Sequence, residues 1–94
     1  MNIFWTRLAL ADLQHAYDYI AEDSPAAASA VIERIEKSSA MLRRHPQLGR
    51  PGRLAGTREL VVADTSFVIP YRINGRRIEI LAVLHASRRW PDAL

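Results

Sequence analysis

The residues with the clearest chemical potential stand together late in the chain, His85-Ala86-Ser87-Arg88-Arg89-Trp90-Pro91, where an apolar run gives out. An imidazole there could act as general acid or base on an RNA 2′-hydroxyl or leaving oxygen, with Arg88 or Arg58 stabilising charge that builds on the phosphate. The plainer role for His85 is to end a strand and hydrogen-bond a neighbouring carbonyl, and spacing alone favours it. Trp90 could stack on a base or cover the hydrophobic edge of a sheet; for an aromatic followed by Pro91, covering the core is the commoner outcome.

Other chemistries find no footing. His15, His45 and His85 are far apart, with no HxxxH or HExxH spacing, and the chain has no cysteine. Neither a metal site, a cofactor nor a disulfide framework is therefore expected. There is no Gly-x-Ser-x-Gly elbow, and Ser87 stands two residues from a histidine rather than opposite one. Arg58 and Glu59 are adjacent, so a strand sends them to opposite faces, with Leu60 and Val62 in phase with Arg58 and with Val61 and Ala63 in phase with Glu59. Tyr71 and Arg72 divide the same way. Tyr71 on the core side leaves Arg72 on a free face, where it could hold a phosphate or simply be solvated.

These residues need elements to position them. Asn2 to Trp5 is too short for a helix and suits a strand, and Thr6 is a good N-cap for the segment after it. From Arg7 to about Glu22, Leu13, Ala16, Tyr17 and Ile20 recur at spacings of three and four, an amphipathic helix with Asp12, Gln14 and Asp18 off its apolar face. Ser24-Pro25 starts a second helix, Ala26 to Arg44, with Ala28, Val31, Ile35 and Leu42 on one stripe. The short connection packs the two helices as an antiparallel pair.

His45-Pro46 ends that helix, and Gln47 to Thr57 has the glycine and proline content of a loop with no periodicity. Three strands follow, Arg58 to Ala63, Ser66 to Ile73 and Arg76 to Leu84, with a tight turn near Asp64-Thr65. Asn74-Gly75 between the last two predicts a two-residue hairpin turn with positive φ at both positions. Pro70 cannot donate a ladder bond, so a bulge or local break is expected there. The fold class is α+β: β-α-α-β-β-β, an antiparallel sheet with an N-terminal helical hairpin packed on one face.

The 94 residues suit a single domain, 1–94, with one core. No run of 18 apolar residues occurs and no basic-then-apolar leader is present, so neither a membrane partner nor a signal peptide is indicated, and the cytoplasm is the expected location. The net charge of +3 hides a gradient. Residues 1–33 hold one basic and five acidic side chains, a net of −4, whereas residues 34–94 hold twelve basic and five acidic ones, a net of +7. A basic half of this kind attracts a polyanion or an acidic protein partner. Among 13 basic residues only Lys37 is a lysine; arginine suits bidentate contacts to phosphate or carboxylate, and GC-rich coding would give the same bias.

Several separated motifs together resemble the RelE/ParE superfamily of bacterial toxins. They are Trp5-Thr6 with Ala9, Asp12 and Leu13; Tyr19-Ile20-Ala21; His45-Pro46 with Gly49-Arg50-Pro51-Gly52; Gly56-Thr57-Arg58-Glu59-Leu60; Tyr71-Arg72; and Ile80 to Pro91 with His85, Arg88 and Trp90. The resemblance spans almost the whole chain. It implies the toxin of a type II toxin-antitoxin pair, held inactive by a cognate antitoxin protein in a hetero-oligomer. It also implies one of two activities: RelE-like ribosome-dependent cleavage of messenger RNA, or ParE-like action on DNA gyrase.

By position, Arg88 resembles the arginine of the ribonucleases and His85 stands near the histidine some of them keep. Those enzymes also carry an arginine where this chain has Val61, Val62 and Ala63, a terminal tyrosine with no counterpart after Arg88, and, in one branch, loop lysines replaced here by Arg50 and Arg53. The indole N–H of Trp90 cannot replace that tyrosine in proton transfer. The ParE-like reading therefore leads, with Arg72, Arg88, Arg89 and Trp90 as target-binding residues. The alternative is a messenger RNA endoribonuclease using Arg58, Arg72, His85 and Arg88, and a third is a non-toxic binding module. Enzymatic activity stays open between them. Whichever holds, the arginines of the C-terminal half are expected to gather on one solvent-facing side of the sheet.

Overall fold

The computed structural model describes residues 1–94. Strand β1 (Asn2–Trp5) leads through Thr6 into helix α1 (Arg7–Ala21), and helix α2 (Pro25–Ala40) runs on into a 3₁₀ turn at Met41–Arg43. Strands β2 (Arg50–Pro51), β3 (Arg58–Val61), β4 (Phe67–Asn74), β5 (Arg77–Ile80) and β6 (Leu84–His85) complete the chain. The caps are those the sequence announces. Thr6 Oγ1 accepts the Ala9 N–H at 3.1 Å, and Ser24 Oγ accepts that of Ala27 at 3.1 Å, with Pro25 at the first helical position.

The strand order is β1-β5-β4-β3-β2, with β6 continuing the β5 side of β4. The sheet is mixed rather than antiparallel throughout, because β1 pairs parallel to β5, Asn2 with Arg77 through Trp5 with Ile80. A parallel pair cannot be joined by a tight turn, and here the helical hairpin and strands β2 to β4 all intervene between its two strands. Thr6 fastens that junction: its N–H donates to Ile80 O at 3.1 Å and its hydroxyl to Leu81 O at 3.2 Å. Beneath the helices Ala9, Ile35, Leu42, Leu60, Val62, Ile69, Tyr71, Ile78, Ile80 and Val83 form the buried core. Leu60 and Val62 face it while Val61 is exposed, the phase the alternation requires.

The β4–β5 turn departs from expectation by one residue. Asn74 pairs with Arg77, so the central residues are Gly75 and Arg76, and of these Gly75 has a positive φ of 62°. Positive φ at the first central position alone is the type II′ pattern. The register explains the choice: this turn sets Arg72 opposite Glu79 and Ile73 opposite Ile78. A turn centred on Asn74-Gly75 would have kept each β5 residue on its face but set Arg72 opposite Arg77, a like-charge pair.

Pro70 causes its break on the neighbouring strand. Strand β4 is continuous from Phe67 to Asn74. Between the pairs Tyr71–Ile80 and Val68–Leu84, however, Leu81, Ala82 and Val83 face only Ile69 and Pro70. This extra residue is a bulge. It ends β5, and β6 resumes after it, so the expected strand Arg76 to Leu84 exists as two shorter ones.

The stretch 47–57 is more ordered than a loop. Strand β2 pairs with β3, Arg50 with Glu59 and Pro51 with Arg58, and Gly52 N–H donates to Thr57 O at 2.8 Å. Periodicity cannot reveal an element of two residues.

Candidate functional site

The bulge aims the last strand, and α1 receives it. The Val83 N–H donates to Asp12 Oδ2 at 3.0 Å, so a carboxylate of α1 satisfies a backbone group that the bulge frees from the ladder. Burial pushes the Asp12 pKa above its ordinary 3.8, with the Val83 hydrogen bond and nearby His15 pulling the other way. Asp12 was expected on the solvent side of the helix. Its spacing with Ala16 and Tyr19 was the signal available for this second face.

Beyond Val83 the chain folds back on itself. His85 pairs with Phe67 across β4–β6 and its ring meets the Phe67 ring edge-on, centroids 5.5 Å apart at 81°. Its Nδ1 lies 2.7 Å from Ser87 Oγ and accepts the Ser87 N–H at 3.3 Å. Its carbonyl accepts from Arg88 N at 3.1 Å and from Trp90 Nε1 at 3.4 Å. His85 thus ends β6 as its plainer reading supposed, but its ring is held by Ser87 rather than by a neighbouring carbonyl. Two guanidinium–ring contacts hold the rest: Arg53 over Trp90 at 3.7 Å and Arg88 over Tyr19 at 5.1 Å. A cleft of about 220 Å³ lies between α1 and this tail, and Tyr19, Phe67, His85, Arg88, Arg89 and Trp90 are among its walls.

A second constellation lies around β3. Glu59 is 3% exposed, and its carboxylate accepts from Arg50 Nε and Nη2 at 3.2 and 3.1 Å and from the Arg53 backbone N–H at 2.8 Å. A buried carboxylate persists only when its charge and lone pairs are met in this way. On the core side the fully buried Tyr71 hydroxyl donates to Pro46 O at 2.7 Å and accepts the Gly49 N–H at 2.8 Å. Gly49 has to be glycine: a Cβ there would stand 2.6 Å from the Tyr71 ring and 2.9 Å from Glu59 O.

The four residues of the ribonuclease alternative do not converge. Arg58 is half-buried on the Tyr71 side of the sheet, where it donates to Gln47 O at 3.2 Å and its Nε has no partner. Arg72 alternates to the opposite face and is taken up by Glu79, Nε to Oε1 at 2.7 Å. That hydrogen bond is the largest influence holding the Glu79 pKa below its ordinary value.

Nor do the arginines of the second half gather as free groups on one side. Arg34 pairs with Asp64, Arg50 and Arg53 with Glu59, and Arg72 and Arg77 with Glu79. Strand pairing set basic residues opposite acidic ones, which a net charge cannot reveal. Of the expected target-binding set, Arg88 and Arg89 remain without a carboxylate partner and Trp90 lies beside them. Arg72 lies elsewhere. Tyr19 and Arg53, which complete the tail's setting, were not among the expected site residues.

The basic and aromatic groups of the tail are thus ordered by stacking. The family model described as "ParE toxin of type II toxin-antitoxin system, parDE" matches residues 3–90. Y4kP of Sinorhizobium fredii is 48% identical over 93 residues, covering 99% of this chain and 96% of that protein. Toxin RelE2 of Caulobacter vibrioides is 37% identical over 87 residues, covering 93% and 97%. Among solved structures, one titled "Chromosomal ParDE TA system from P. aeruginosa" superposes with a TM-score of 0.84 at 31% identity, covering 93% of this chain and 97% of that one. Matches running nearly end to end in sequence and in fold leave one assignment: the chain belongs to the ParE toxin family of type II toxin-antitoxin systems, within the RelE/ParE superfamily.

Proposed function

We propose that this chain, acting as one domain over residues 1–94, arrests growth in the cytoplasm by binding DNA gyrase through its C-terminal tail, and that a cognate antitoxin neutralises it. The observation that carries the reading is the separation of the ribonuclease set. Arg58 and Arg72 lie on opposite faces of the sheet, Arg72 is paired with Glu79, and His85 is engaged by Ser87. Phosphodiester cleavage needs acid, base and charge stabilisation within hydrogen-bond reach of one phosphate. A protein contact needs only accessible anchors, and the exposed Arg88 and Arg89 supply them beside the half-buried Trp90.

The antitoxin has two modes of attachment open to it. Leu10, Leu13, Tyr17 and Ile32 line an apolar groove between the helices, which suits an amphipathic helix, and β1 leaves one edge of the sheet open to an added strand. An acidic segment in that partner would complement the +7 half, so the complex should weaken as salt rises.

Inducing the chain without its antitoxin tests the reading. Loss of plasmid supercoiling or DNA breaks, with intact messages, is the expected result. Cleavage inside translated messages would establish the ribonuclease alternative, which the name of the RelE2 relative keeps in view. Unimpaired growth would establish the non-toxic binding module.

A further inference from the structure

One cleft concentrates more ring and guanidinium chemistry than the toxin reading uses. Asp12, His15, Ala16 and Tyr19 line it from α1, an i, i+3, i+4, i+7 stripe. Phe67, Val83, Leu84 and His85 line it from the sheet, and Arg88, Arg89 and Trp90 from the tail. Three of the chain's seven Phe, Tyr and Trp residues and two of its three histidines are therefore in one place. Ala16, too small to fill the space between its neighbours, helps keep the cleft open.

The charges decide what kind of group fits. Arg88 and Arg89 have no carboxylate partner, and the one carboxylate on the wall, Asp12, accepts the Val83 N–H. The mouth therefore favours an anion. At about 220 Å³ the cleft falls below the roughly 300–1,000 Å³ of sites that swallow a drug-sized ligand, so it takes one planar group and leaves the rest at the rim. Tyr19 stays 64% exposed with the Arg88 guanidinium 5.1 Å from its ring centroid, looser than the 3.7 Å contact on Trp90, so its ring still offers surface to stack against. Trp90 has Arg53 stacked over it and serves instead as a wall.

We infer that this cleft binds a nucleoside monophosphate, its base against Tyr19 between α1 and the tail and its phosphate at the rim with Arg88 and Arg89. The inference is independent of the gyrase reading, since it concerns the isolated chain and a small ligand. A bound nucleotide would bridge α1 to the tail and so stiffen the segment that carries Arg88, Arg89 and Trp90.

The test is a titration of the full chain with adenosine 5′-monophosphate, adenosine and inorganic phosphate. Trp90 fluorescence is read in a Trp5→Phe background, which leaves Trp90 as the single indole. The monophosphate should bind saturably and at least tenfold more tightly than adenosine or phosphate alone. Arg88→Ala with Arg89→Ala should weaken it about tenfold without changing the melting temperature, and Tyr19→Ala should weaken the nucleotide but not phosphate. Equal affinity for phosphate and nucleotide would reduce the site to general charge attraction and overturn the inference. So would an absence of saturable response at millimolar monophosphate, or a response that none of these substitutions alters.

Discussion

The segment 45–53 and the segment 84–94 are both short on regular structure and both rich in arginine, but they use it in opposite ways. In the first, Arg50 and Arg53 turn onto the buried Glu59, while Pro46 and Gly49 close on the Tyr71 hydroxyl. In the second, Arg88 and Arg89 meet no carboxylate, and stacking on Tyr19 and Trp90 replaces ion pairing as the means of order. A segment whose polar groups are consumed internally holds the fold. One whose charges are left unmatched presents a surface.

Substitution should separate the two roles. Gly49→Ala should have the largest effect on stability, because the new methyl meets a buried ring and a backbone carbonyl at once. A loss of about 3 kcal/mol by urea melts is expected, the upper part of the overpacking range. Tyr71→Phe should follow at about 2 kcal/mol, since Pro46 O and the Gly49 N–H both lose their partner inside the protein. Removing both tail arginines, Arg88→Ala with Arg89→Ala, should alter stability by less than about 0.5 kcal/mol, as for other exposed substitutions, while toxicity on induction falls at least tenfold. If the tail pair destabilises as much as Tyr71→Phe, the contrast between the segments fails.

Asp12 supplies the smallest and most specific effect, because it ties the tail's root to α1. Its folded pKa is raised, so the stability it contributes is complete below 3.8 and is lost as pH rises through the folded value. Asp12→Asn keeps an acceptor for Val83 and removes that loss. The variant should therefore gain on the parent as pH climbs from 3 toward 7, by thermal melts across that range. Glu79 runs the other way: its pKa is lowered, chiefly by the Arg72 hydrogen bond, so its contribution is present above 4.5 and fades in acid. Arg72→Ala should flatten the acid limb of the same curve without touching the Asp12 effect.

Much of this architecture is legible in the residues. Thr6 and Ser24-Pro25 announce both helix starts, and the alternation of Leu60, Val61 and Val62 gives the correct face of β3. Cross-strand context was harder to read. The Asn-Gly pair favoured a turn that a like-charge pairing of Arg72 with Arg77 disfavours, and the proline in β4 displaced its irregularity onto β5. The same holds at the site. His85, Arg88, Arg89 and Trp90 stood out by type and position, whereas Asp12, Tyr19 and Arg53 matter through partners 71, 69 and 37 residues away along the chain. Local pattern carries no record of such pairs.

The most direct test of the division between a folding segment and a contacting tail is a supercoiling assay with purified gyrase. It compares the parent chain with the Arg88→Ala, Arg89→Ala double variant at matched folded fraction. The parent should block supercoiling, and the variant should need at least tenfold more protein to do the same. Equal potency of the two chains, or no effect of the parent at any concentration, would contradict the assignment of the tail as the gyrase-binding surface.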